Sequence, residues 1–174
     1  MRHILPLIAL TGLVAAVPAL AQDAGTLRGN DGATLGTVMA KAAPRGVLLR
    51  VEVKGLTPGW HGIHFHAKGD CSDEKFLNSG AHVHAHDIEQ ATHGLLNPEA
   101  NDSGDLPNIY VHADGTAQAE LFSPFVTYEA VDGDARPALK DADGSALVIH
   151  ASPDDYTTQP IGGAGARVAC AIIP

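Results

Sequence analysis

His64 and His66 flank Phe65 in the run Gly62-Ile63-His64-Phe65-His66. On a β-strand, residues i and i+2 share a face, so both imidazoles can reach one ion while Ile63 and Phe65 enter a core. His150 ends a second strand-like run, Ala146-Leu147-Val148-Ile149-His150, and His82, His93 and Asp105 fall between the two runs. Imidazole suits copper and zinc, and a carboxylate among imidazoles suits zinc. A single histidine is more often incidental than a ligand. Ten in a chain of 174 residues, two of them in an i, i+2 pair on a strand-like run, point instead to a metal site. Two cysteines cannot build a four-thiolate zinc site, so any metal here rests on histidine and carboxylate.

The elements that must position these residues read as β. Short β-like runs recur at 34–40, 47–54, 63–66, 109–113, 116–122, 125–128, 146–150 and 167–173, between Gly, Pro, Asn and Asp punctuation. Val51-Glu52-Val53-Lys54 alternates with period two, as a half-buried antiparallel strand should. Asp31-Gly32, Asp114-Gly115, Asp132-Gly133 and Asp143-Gly144 are turn signals. The pattern predicts an all-β sandwich or barrel. Gly69 to Pro107 has little β pattern and holds His82, His84, His86 and His93. A loop of that length in one domain is usually functional and needs a disulfide or a metal to tie it down.

Eleven Lys plus Arg against twenty Asp plus Glu give a formal charge of −9, which excludes a nucleic-acid binder that works through clustered cations. At 45% hydrophobic residues the chain folds rather than staying disordered. Residues 1–21 have a basic start at Arg2 and His3, an apolar run, and Ala19-Leu20-Ala21 as a small-x-small cleavage pattern. This predicts a secretory signal peptide, removed to leave one domain over 22–174 in the periplasm. The run is short for a membrane span and contains Pro6 and Pro18. In an oxidising compartment Cys71 and Cys170 are most simply a structural disulfide, against the alternative of two buried free thiols.

The run Gly59-Trp60-His61-Gly62-Ile63-His64-Phe65-His66-Ala67-Lys68-Gly69-Asp70-Cys71 closely resembles the signature of copper/zinc superoxide dismutases, especially the exported bacterial ones. Ser79-Gly80-Ala81-His82, Thr92-His93-Gly94, Gly104-Asp105-Leu106-Pro107-Asn108, the run ending at His150 and Gly163 to Cys170 match in the same order. The resemblance implies a Greek-key β-barrel (an immunoglobulin-like sandwich) whose long loops bind copper beside zinc. It implies copper on His64, His66, His82 and His150, with His82 bridging to zinc, and His93 and Asp105 as further zinc ligands. His61 is then hydrogen-bonded near the copper ligands, Asp154 links the two metal sites, and Cys71–Cys170 is the family's disulfide. Arg167 sits beside the open copper position and attracts the superoxide anion. Dismutation to oxygen and hydrogen peroxide needs a metal with two oxidation states, which copper has and zinc lacks. The acidic surface repels that anion, so the site needs a locally positive field. Lys68, Lys75 and Lys140 read as solvated surface residues. The resemblance implies a monomer or homodimer with no membrane span.

The chain departs from the family at one zinc position. Asp102 stands where a third zinc histidine is expected, and the segment after His82 reads Val83-His84-Ala85-His86-Asp87. Asp102 completes the zinc site, or His84 or His86 replaces the missing ligand, or the zinc site is weak or empty beside a working copper site. His112 has no matching role. Two rivals remain: a copper-buffering protein that kept the barrel, which has no need of Arg167, and a zinc hydrolase, for which no His-Glu-x-x-His motif exists.

Overall fold

Val47, Leu49, Val51 and Val53 are buried and the residues between them exposed, the alternation expected of a strand with one face on a core. The computed structural model describes residues 24–85 and 87–174, so the segment read as a signal peptide lies outside the described residues. Among the described residues nine strands form: β1 (Gly25–Gly29), β2 (Thr34–Ala43), β3 (Gly46–Lys54), β4 (Gly59–His61), β5 (Ile63–His66), β6 (Ile109–Val111), β7 (Thr116–Ser123), β8 (Ala146–His150) and β9 (Arg167–Ile172). Seven make one antiparallel sheet in the order β5-β8-β9-β1-β2-β3-β7. β4 and β6 pair separately. β4 runs on through Gly62 into β5, and β6 turns through Asp114-Gly115 into β7, so this ribbon joins both edges of the large sheet and closes the barrel.

Two expected features differ. β1 and β4 lie outside the β-like runs of the sequence, because one is bounded by glycines and the other is three residues long. Residues 125–128, expected as a strand, make only one isolated bridge, Thr127 to Ala138. Pro124 and Pro137 flank that bridge and lack the N–H groups a longer ladder needs.

The core is filled by Leu27, Val38, Leu49, Phe65, Leu147 and Ile149 with their neighbours. β8 is buried along its whole length, and β5 is buried on both faces. Ile63 and Phe65 enter the core, leaving His64 and His66 on the opposite face. β5 is an edge strand, and the long loop covers its free edge: Phe65 N donates to Gly104 O at 2.9 Å and Val83 N to Phe65 O at 3.0 Å. A Cβ on Gly104 would lie 2.5 Å from Phe65 O, so only glycine allows the loop this close.

Cys71 and Cys170 are disulfide-bonded across 99 residues of sequence, which anchors the same loop to β9. Closing a loop of that length limits the unfolded chain by about 4–5 kcal/mol on the chain-entropy view. Replacing both cysteines by serine is expected to lower stability by about 2–5 kcal/mol in a urea melt. No change in the melt would show that other loop contacts suffice.

Candidate metal centre

Four imidazoles converge beside β5. His64 and His66 on β5, His150 at the end of β8 and His82 from the loop are all buried, and each offers a ring nitrogen within 4.8 Å of the others. One nitrogen of each ring is held by an oxygen. His64 Nε2–H donates to Asp154 Oδ2 at 2.9 Å, His66 Nδ1–H to Gly80 O at 2.9 Å, His150 Nδ1–H to Gly165 O at 3.0 Å and His82 Nδ1–H to Asp102 Oδ2 at 2.8 Å. The other nitrogens, His64 Nδ1 and Nε2 of His66, His82 and His150, have no hydrogen-bond partner among the described residues. Orphaned buried polar atoms are costly, and four aimed at one point fit a cation with nitrogen ligands. Burial, with the charges of His82 and Arg167, holds His66 down to about 2, and burial with the charge of His64 holds His150 down to about 3. These rings stay neutral, the form that binds metal.

A second cluster abuts the first. His82, His93, Asp102 and Asp105 each offer an atom within 4.8 Å of the others. His93 Nδ1 is 2.6 Å from Asp105 Oδ1, and His82 Nδ1 is 3.3 Å from the same oxygen. Burial works against a charge on His93, yet its bonds to Asp105 and Asp154 raise it to about 10. Burial is likewise outweighed at Asp105, which bonds to His82 and His93 pull down to about 2. Two carboxylates facing two imidazoles match the hard-and-borderline donor set that zinc accepts in tetrahedral sites. His82 belongs to both clusters: Nδ1 faces Asp102 and Asp105, and Nε2 has no hydrogen-bond partner among the described residues.

The chain belongs to the copper/zinc superoxide dismutase family, as its match to that family (SODC) over residues 34–173 shows. The copper/zinc superoxide dismutase of Caulobacter vibrioides is 59% identical over 147 residues, covering 84% of this chain and 82% of that one. The copper/zinc superoxide dismutase structure from Brucella abortus, 29% identical, covers 87% of this chain and 99% of its own with a TM-score of 0.65. A SOD-like protein from Bacillus subtilis, 31% identical, covers 87% and 97% with a TM-score of 0.77. The barrel of this family thus agrees with the all-β expectation.

Asp154, buried after β8, accepts from His64 Nε2 through one oxygen and from His93 Nε2 at 3.0 Å through the other, so one carboxylate spans both clusters. A Cβ on Gly162, whose φ is +60°, would lie 1.6 Å from Asp154 Oδ1, so glycine is required there. His61 places its ring nitrogens 2.6 Å from His150 O and 2.8 Å from Thr57 O, tying the end of β8 to the segment before β4. Arg167 pairs with His150 across β8 and β9. Its guanidinium donates to Phe76 O at 2.6 Å, Ser79 Oγ at 3.1 Å and Gly80 O at 2.8 Å. Gly80 O thus holds both Arg167 and His66. His84 stands outside both clusters, its Nδ1 bonded to His82 O at 3.0 Å, and His86 lies outside the described residues.

Two contributors were not read from the sequence. Asn108 grips the main chain of Asp154 with both ends of its amide, at 2.8 and 2.9 Å. Gln159 does the same to His93. Asn108 ends the Gly-Asp-Leu-Pro-Asn run, which was the only available signal.

Proposed function

We propose that this protein dismutates superoxide with copper held by His64 Nδ1 and by Nε2 of His66, His82 and His150, beside zinc held by His82, His93, Asp102 and Asp105. The single observation that carries the reading is the set of four buried, unpartnered nitrogens facing one point. Copper bound there supplies the one-electron redox couple on which dismutation depends. The net reaction turns two superoxide anions and two protons into oxygen and hydrogen peroxide.

The chain's own groups do the rest. Arg167 attracts and orients the anion; burial lowers its pKa, but guanidinium starts so high that it stays charged. Gly80 O, Gly165 O and Asp154 each fix the tautomer and direction of one copper-side imidazole. Asp154 keeps the protons of His64 and His93 on Nε2, so both rings present Nδ1 to the metals. An anion-guiding arginine beside the cluster favours catalysis over copper buffering.

In this reading Asp102 replaces the third zinc histidine. Asp102→Ala is expected to weaken zinc binding more than about a hundredfold, since loss of a group that merely orients a ligand costs about ten- to a hundredfold. His84→Ala is expected to leave zinc affinity within about threefold, because that side chain lies outside the cluster. Competition with a chromophoric chelator measures both, and the reverse order would give His84 the ligand role.

Export to the periplasm through residues 1–21 belongs to the same proposal. The disulfide fits an oxidising compartment, and no helix among the described residues is long and apolar enough to cross a membrane. Superoxide decay after pulse radiolysis tests the function. Copper-loaded protein is expected to accelerate decay in proportion to its concentration, and His66→Ala to abolish the acceleration. Tight copper binding without acceleration would establish the buffering alternative.

A further inference from the structure

The segment joining β8 to β9 grips His93 at two places. Asp154 holds its ring, and Gln159, five residues on, holds its main chain. Gln159 Nε2–H donates to His93 O at 2.8 Å, and His93 N–H donates to Gln159 Oε1 at 2.9 Å. Nε2 also donates to Thr157 O at 3.0 Å, which sets the amide's orientation. A flipped amide would face donor with donor and acceptor with acceptor. Neither main-chain group of His93 has a main-chain partner among the described residues. Gln159 meets both groups, as a sheet neighbour would elsewhere, and Asn97 Nδ2–H adds a longer bond to His93 O at 3.2 Å.

The two loops also meet on either side of this fork. Leu96 N donates to Tyr156 O at 3.2 Å, and a Cβ on Gly94, with φ +122°, would lie 2.1 Å from that same oxygen. His93 is therefore fixed by main chain and ring together, and Nδ1 is the ring atom left to face Asp105 and His82.

We propose that Gln159 is a positioning residue of the zinc site: its amide fork on the His93 main chain sets where His93 Nδ1 is presented. This inference rests on the assignment of His93 as a zinc ligand. Gln159 is exposed, so an ordinary loop glutamine would leave zinc affinity alone.

The test titrates zinc into the metal-free, disulfide-bonded full chain against a chromophoric chelator, for Gln159→Ala and Gln159→Glu. The glutamate keeps the side chain's length and one acceptor but loses the donor and sets an oxygen against His93 O. Both variants are expected to bind zinc about ten- to a hundredfold more weakly. Copper affinity should stay within about threefold, and the metal-free melting temperature within about 2 °C. Zinc affinity within fivefold of the unsubstituted chain overturns the inference alone. So does a loss matched by collapse of the metal-free fold in both variants. No zinc binding by the unsubstituted chain overturns the ligand assignment and the inference with it.

Discussion

Replacing His82 by alanine is expected to weaken copper and zinc binding together, each by more than about a hundredfold. Among the described residues no other offers an atom to both four-residue clusters; His82 Nδ1 faces Asp102 and Asp105, and its Nε2 is left unpartnered. His66→Ala is expected to weaken copper alone, and Asp102→Ala zinc alone. The metal-free His82→Ala protein also loses stability, because the Asp102 and Asp105 carboxylates, 3% and 1% exposed, lose the imidazole whose charged form they favour. Removing one member of a buried charge pair costs about 3–5 kcal/mol, and His93 still faces Asp105, so the loss belongs at the lower end. Parallel titrations with each metal and a urea melt of the metal-free variant measure both effects. Loss of one metal with the other unchanged would show that the two sites are independent.

Arg167→Ala is expected to lower the second-order rate with superoxide about ten- to a hundredfold and to flatten its dependence on ionic strength. The chain carries a formal charge of −9, so the average field opposes an approaching anion. In the proposed site Arg167 is the cation that offsets it, close enough to push down the proton affinities of His66 and His150. Fields focused in a cleft change association rates by about ten- to a thousandfold and fade with added salt. Arg167→Lys should recover only part of the rate, because an ammonium cannot span Phe76 O, Ser79 Oγ and Gly80 O as the planar fork does. Stopped-flow rates across a salt series measure the effect. A copper EPR spectrum unchanged in the alanine variant would separate guidance of the anion from disturbance of His66, with which Arg167 shares Gly80 O.

What could be read from the residues follows their range of interaction. β3 and the His64–His66 pair are legible because period-two alternation is local, and each face of the strand has one fate. The hairpin turns at Asp31-Gly32 and Asp114-Gly115 are legible for the same reason, each with glycine at positive φ. The choice among Asp102, His84 and His86 was not legible. It depends on how the 81–105 segments lay against the edge of β5, with Ser103 N bonded to Val83 O, and spacing along a chain does not encode that. Asn108 and Gln159 were hidden more deeply. Each acts through its side-chain amide on a main chain 46 or 66 residues away, and an amide in a loop carries no pattern that distinguishes it from a solvated one. The short strand β4 escaped notice because its three residues are held by pairing with β6 rather than by their own propensity.

The central claim is that two different metals share the His82 ring. Anomalous diffraction from crystals of the copper- and zinc-loaded protein, collected across both absorption edges, tests it most directly. One copper peak is expected, bounded by His64 Nδ1 and the Nε2 atoms of His66, His82 and His150. One zinc peak is expected, bounded by His82 Nδ1, His93 Nδ1, Asp102 and Asp105. A copper peak away from those four nitrogens, or a zinc peak out of reach of His82, would contradict it.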